Sequence, residues 1–200
     1  MYVRTYEELP PELVKVKEAG FKVFDSKDYD LNIVGFRKLG DPDGFNQFND
    51  RICIIYKLNQ KWIVEEGAAT TDPGRYWLLK PDYKPCAIYY HPQQARGAYR
   101  LGLHRGKYEA LRQVKPAKFW RDGNKDKHLN YEGQIYNDLI YMNIHKSSSR
   151  GHGSVYVDRY SAGCQVWQNP KDHERMVELC YLQIKNTGYE SFTYTLLGEE

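Results

Sequence analysis

Arg51-Ile-Cys-Ile-Ile-Tyr-Lys57, the turn pair Asn59-Gln60 and the return Lys61-Trp-Ile-Val-Glu-Glu66 are the stretch on which the fold turns. The first run is strongly apolar and rich in β-branched residues. The second opens on an aromatic followed by two more branched side chains. Such residues suit a pleated, buried surface, and two such runs parted by a short polar turn predict a β-hairpin. Around that hairpin the chain reads as mainly β with a few helices.

Working upstream, residues 10–19 predict a short helix, with Pro early and Gly20 just past its end. Phe21-Lys-Val-Phe24 alternates like a strand, and residues 28–37 predict another. A loop with Gly40, Pro42 and Gly44 then leads into the hairpin. Downstream, Thr70-Thr-Asp-Pro-Gly74 is a turn in which Pro sets one dihedral and Gly permits positive φ. Arg75-Tyr-Trp-Leu-Leu79, Cys86-Ala-Ile-Tyr-Tyr90 and residues 98–104 predict strands, and residues 112–120 an extended segment. Asn169-Pro170 starts the clearest helix, where Met176, Val177, Cys180 and Ile184 keep helical spacing before Gly188. Ser191-Phe-Thr-Tyr-Thr-Leu-Leu197 alternates as a final strand. No repeat or linker divides the chain, so residues 1–200 predict one domain, with 1–50 as an N-terminal α/β extension packed on it.

Composition narrows the function classes. With 41% hydrophobic and 28% charged residues, the chain has a globular profile. A formal charge of +3, without any long Lys/Arg block, argues against a nucleic-acid partner. No segment approaches the roughly 18 apolar residues of a membrane span, and the N-terminus lacks the apolar core of a secretory signal. The 18 tyrosines suit strand surfaces and also sites for polar polymers. Cys53, Cys86 and Cys180 sit among apolar neighbours and read as small buried hydrophobes.

Cys164 differs from the other three. It lies in Tyr160-Ser-Ala-Gly-Cys164-Gln-Val-Trp, after a Gly/Ser-rich stretch that contains the apolar Val155-Tyr-Val157. Gly163 allows an unusual backbone angle and close substrate approach. A helix a few residues on could supply main-chain N–H groups to a thiolate or oxyanion. A thiol needs a nearby base, and His145 closes the apolar run Tyr141-Met-Asn-Ile-His145. These residues alone leave two readings open: a catalytic Cys–His pair, or a buried Cys with a structural His.

His145, followed after the fifteen residues 146–160 by Ser161-Ala-Gly-Cys164, resembles the signature of the L,D-transpeptidase (YkuD-type) catalytic domain. Thr70-Thr-Asp-Pro-Gly-Arg-Tyr76 resembles that family's Thr-Pro-x-Gly-x-Phe/Tyr turn, in the same chain order. The resemblance spans roughly residues 50–170. It implies a β-sandwich-like catalytic domain with a C-terminal helix, acting on peptidoglycan stem peptides or muropeptides without a cofactor. It also implies an acyl-enzyme on Cys164 with His145 as base. Ser161 would orient the His, and N–H groups near Gly163 and Cys164 would form the oxyanion hole. Ala162 and Gln165-Val166 depart from the family pattern, which leaves hydrolysis and cross-linking equally open. A wall substrate without a secretory signal implies a phage lysis or virion protein, or a delivered effector, made in the cytoplasm and acting after lysis, injection or non-classical export.

Other residues offer substrate contacts. Arg105 and His104, in Gly102-Leu-His-Arg-Gly-Lys-Tyr-Glu109, could face the site, and Arg105 could hold a carboxylate bidentately. Asn143, Tyr99 and Gln94 are further candidates. Asp122, Asn124 and Asp126 have the spacing that opens a calcium loop, but Lys127 and Gly133 stand where Gly and Glu are needed, so a polar turn is expected. A zinc site from His104, His145, His152 and Cys164 is an alternative that would make the protein a metal-dependent peptidoglycan amidase or peptidase. A noncatalytic wall-binding or virion structural module is another.

Overall fold

The computed structural model describes residues 1–40, 45–80, 84–148 and 150–200; Pro42 and Gly44 of the expected loop lie outside them. In chain order the elements are β1 (Tyr2–Tyr6), α1 (Pro11–Glu18), β2 (Asn32–Lys38), β3 (Asp50–Leu58), β4 (Lys61–Thr70), α2 (Arg75–Leu79) and β5 (Cys86–Tyr89). There follow β6 (Gln93–His104), β7 (Tyr108–Gln113), β8 (Ala117–Asp122), β9 (Tyr136–Asp138), β10 (Ile144–Lys146), β11 (Gln165–Trp167), α3 (Pro170–Thr187) and β12 (Phe192–Glu199). No helix among the described residues is long and apolar enough to cross a membrane.

The hairpin expected from the opening stretch is β3–β4, in register from Leu58 opposite Lys61 back to Asp50 opposite Ala69. Asn59 and Gln60 have φ of 51° and 68°, the positive values of a two-residue hairpin turn whose twist matches the strands. β3 is apolar at nearly every position because both of its faces are covered. Ile52 and Ile54 enter the main core, whereas Cys53 and Ile55 meet Leu13 and Val16 of α1. Each such fully buried aliphatic contributes about 1.5–3 kcal/mol of apolar transfer.

The protein is mainly β, and its large sheet closes. Strands run β4-β11-β10-β7-β6-β12-β2-β3, and β3 pairs with β4 to complete an eight-stranded barrel, with β1 pairing outside on β4. Two open sheets face to face, as in a plain sandwich, are therefore not the arrangement of these strands. Closure removes the unpaired edges that an open sheet must protect. The second sheet, β5-β8-β9, inserts Ala87, Tyr89, Ala117 and Phe119 into the same core. α3 packs on β7, β10 and β11, with Met176, Leu179 and Cys180 buried. Asn169 caps it by accepting Lys171 N–H, and Gly188 ends it at φ 77°, as the sequence predicts. β2 is a barrel strand, so of residues 1–50 only the segment through α1 is an addition packed on the barrel.

Three expected strands differ. Residues 75–79 are α2 rather than a strand: Trp77 and Leu78 N–H both donate to Gly74 O at 3.2 Å, and the extended Gly74 starts the turn. Residues 21–24 have no strand partner. Side-chain amides take its place, Asn32 bonding both main-chain groups of Phe24 and Gln94 both groups of Lys22. The Gln94 side chain is thereby engaged with Lys22 and Thr195. Residues 155–157 make one bridge, Tyr156 to Gln47. In the extended 112–120 segment, β7 and β8 are separate strands of different sheets.

Candidate active site

The parallel pairing of β10 and β11 puts His145 on the strand next to the segment that carries Cys164. Ile144 lies opposite Gln165 and His145 opposite Val166, and Gln165 N–H donates to Asn143 O at 2.9 Å. Alternation along β11 puts Cys164 and Val166 on one face, where both pack with Phe48, Val157 and Tyr160. His145, the partner of Val166, shares that face one step along from the thiol. Cys164 is half-buried and opens onto a cleft of about 670 Å³ lined by Trp77, Lys84, Arg121, Tyr141 and Gly163.

The cysteine loop is held by short-range bonds. Ser161 Oγ donates to Cys164 O at 2.7 Å and accepts Gly163 N–H at 3.1 Å. Gly163 takes φ 136°, and a Cβ there would lie 2.6 Å from Ala87 O, so only glycine fits without movement. Ala87 N–H donates to Ala162 O at 3.1 Å, tying the loop to β5. The Thr70–Gly74 turn reaches the same loop, Gly74 N–H donating to Ser161 O at 2.8 Å. The two sequence motifs are thus in direct contact.

Both side chains rest neutral. Burial pushes the Cys164 thiol up to about 11, against the opposing pull of Asn143 N–H and the Arg105 charge. Its S–H points to Tyr141 O at 3.7 Å. Burial lowers His145 to about 3, with His104 adding to the effect. His145 Nδ1 lies 2.8 Å from Lys146 O; a proton on Nδ1 satisfies that carbonyl and leaves Nε2 as the ring's acceptor. The His104 ring stacks on His145 with centroids 4.2 Å apart, and Asn143 holds His104 Nδ1 at 3.3 Å. Tyr108 Oη reaches His145 Nδ1 and Lys146 O, both at 3.4 Å. His173 of α3 lies edge-on to Tyr108, buried, with neither ring nitrogen hydrogen-bonded.

Of the expected substrate contacts, Arg105 is exposed on the β6–β7 turn at φ 51°. Its charge acts on both Cys164 and His145. His104 is buried and acts on the His145 ring instead of facing solvent. Asn143 is a positioning residue: its Oδ1 accepts Gln113 N–H at 2.9 Å. Tyr99 is placed elsewhere, wholly buried in the core with its hydroxyl 3.4 Å from that of Tyr89, because β6 alternation turns it inward. Ser161 does not orient His145; its hydroxyl is spent inside the cysteine loop. Gly163 N–H is likewise taken by Ser161 Oγ. The thiol is also not at a helix N-terminus, since β11 intervenes before α3.

The alternative zinc set does not assemble. His152 is exposed, and among the described residues only Glu12, Cys53 and Glu66 bring three His, Cys or acidic ligand atoms within 4.8 Å. Arg4 and Arg51 ion-pair with both of those glutamates, so that group already has its cations. Tyr108, His173 and Trp77 are the residues that sequence reasoning did not single out. Only their places in the fold bring them to the site, and no local pattern marks them. No family model matches the chain, and neither a curated protein nor a solved structure matches it.

Proposed function

We propose that the protein is a cysteine-dependent enzyme of the L,D-transpeptidase kind, which cleaves or transfers acyl groups of peptidoglycan stem peptides through Cys164. The observation that carries the reading is the register of β10 on β11, which puts buried His145 on the strand beside that of Cys164, whose thiol opens onto the cleft. The contact between Gly74 and Ser161 supports it further, because the third motif element buttresses the nucleophile loop. A source in phage lysis or effector delivery belongs to the same proposal.

In this reading Cys164 Sγ attacks the scissile carbonyl carbon as its proton passes to His145 Nε2. Because both groups rest neutral, thiolate forms with the attack rather than before it. The C–N bond then breaks and His145 returns the proton to the leaving amine. Water or an acceptor amine resolves the thioester. The Arg105 charge favours the thiolate form of Cys164 and would act in the same sense on developing negative charge.

The test incubates purified muropeptides with wild type, Cys164→Ala and His145→Ala, with and without chelator, and analyses products by mass spectrometry. New products that vanish in both variants and persist with chelator are expected. Turnover that survives Cys164→Ala overturns the thiol mechanism, and turnover lost to chelator favours a metal hydrolase. Absence of turnover in wild type, with Cys164 inert to thiol reagents, favours a noncatalytic wall-binding module.

A further inference from the structure

We propose that Arg121 is the specificity-determining residue of the Cys164 cleft, where it holds a free carboxylate of the molecule that the thiol attacks. Along β8, alternation puts Ala117, Phe119 and Arg121 on one face. Ala117 and Phe119 enter the main core, and Arg121, at the end of the row, lines the cleft. The guanidinium is held in place there. Its Nη1 donates to Pro85 O at 2.8 Å, and its central carbon lies over the Phe119 ring, 4.8 Å from the centroid.

No carboxylate answers this cation. Arg121 is half-buried, yet it forms no ion pair among the described residues. A charge withdrawn from water is normally paired, because its desolvation is otherwise uncompensated. With Nη1 engaged by Pro85 O, Nε and Nη2 have no partner among the described residues. They form a planar pair of donors, spaced for the two oxygens of one carboxylate. Lys84 lines the same cleft and adds a second positive charge, against the single carboxylate of Asp138. Asp138 is exposed, and its Oδ1 already accepts Leu139 N–H at 2.7 Å. The cleft beside the thiol is thus net positive, which favours an anionic ligand.

The ligand class follows from this lining. Trp77, Ile140, Tyr141 and Met142 supply apolar and aromatic surface for the uncharged part of a short peptide. Arg121 then fixes the end of that peptide which carries the carboxylate. Arg105 acts differently, because its charge bears on the Cys164 thiol itself. The Arg121 charge bears instead on Cys86, which lines the cleft with it. Arg105 tunes reactivity, and Arg121 selects the ligand. That the carboxylate belongs to a stem peptide rests on the function proposed above; that the cleft takes an anion does not.

The test reads the cleft by a reaction that needs no turnover. Full-length protein is alkylated at mildly alkaline pH with the N-bromoacetyl derivatives of glycine, diglycine and triglycine, each as free acid and as carboxamide. Cys164 Sγ displaces bromide to form a thioether, followed by mass spectrometry, and Cys164→Ala gives the blank for Cys86. At the length that spans the cleft, the acid is expected to label Cys164 about tenfold faster than the amide, the scale of a charge-assisted hydrogen bond. Arg121→Gln should abolish that preference and leave the amide rate at its wild-type value, whereas loss of a merely structural contact would change both rates. Arg121→Lys keeps the stem and the charge but not the fork; it should retain an intermediate preference, and it serves if the Gln variant does not fold. Equal acid and amide rates at all three lengths overturn the proposal, as does a preference that survives Arg121→Gln. A preference that depends on Arg121, without turnover of muropeptides, supports the anion site and overturns the peptidoglycan reading. Turnover without the preference does the reverse, and no labelling of Cys164 by any reagent overturns both.

Discussion

Two buried polar clusters meet the Thr70–Gly74 turn, and they are built on opposite principles. On one side, Arg37 is wholly buried and fully engaged. Nε donates to Thr71 Oγ1, Nη1 to Tyr89 O, and Nη2 to Thr71 O, with Asp72 Oδ1 3.1 Å away. Asp50 completes that cluster by accepting Lys38 N–H, Thr71 N–H and Thr71 Oγ1–H. On the other side, Cys164, His145, His104 and His173 are kept neutral by burial and have few directional partners. The charged cluster locks the turn in place. The neutral one carries no ion pair to hold its groups in place.

The largest effect is expected where the charged cluster loses its cation. Arg37→Met leaves Asp50 and Asp72 buried without a counter-charge, a loss of about 3–5 kcal/mol. Urea unfolding at pH 7 measures it. A loss no larger than that of a surface substitution would mean that the carboxylates simply take up protons and that the cluster does not lock the turn.

A smaller effect belongs to the neutral side. Gly163→Ala must carry a side chain at φ 136° and push Ala87 away, a cost of roughly 1–3 kcal/mol. The cysteine loop must shift to accommodate it. Turnover of muropeptides is therefore expected to fall far more than stability does, and equal turnover would show that the position of the loop is not critical.

The smallest effect separates the clusters by pH. Burial lowers His145, His104 and His173 from 6.5 to about 3, 4 and 3. The unfolded chain takes up those protons below pH 6.5 and the folded protein does not, so stability is full above that pH and falls as the solution is acidified towards pH 3–4. Burial and the neighbouring Asp72 raise Asp50, with the opposite sign: its contribution is full below 3.8 and declines as the pH rises above that value. His173→Phe removes a buried imidazole without partners and should stabilise the protein at pH 4 by on the order of 1 kcal/mol. Denaturant midpoints at pH 4 and pH 8 check it. An unchanged slope between them would remove His173 from the acid response.

How much of this was legible in the sequence depends on how local the signal was. The β3–β4 hairpin could be read because its turn residues and its apolar runs are adjacent. α3 was readable from its cap, its period and its terminal glycine. α2 was misread as a strand, since the aromatic Tyr76 and Trp77 favour sheet while Gly74 and the close Asp158 backbone turn the chain. β10 and β11 are three residues each, and their pairing is parallel across an irregular segment. No period exists in three residues, so that register could not have been read.

Sequence by itself determined the mainly β class, the hairpin and the last helix, and it singled out Cys164 and His145 as candidates. Only the tertiary structure decided that the sheet closes, that these two residues share a face, and that both rest neutral. It also decided that Tyr99 faces the core and that Ser161 serves the loop rather than the histidine. The reason is physical: residue type and short-range period act within a few positions. Strand register, burial and the pKa shifts that follow from burial are set by groups that meet only when distant segments pack.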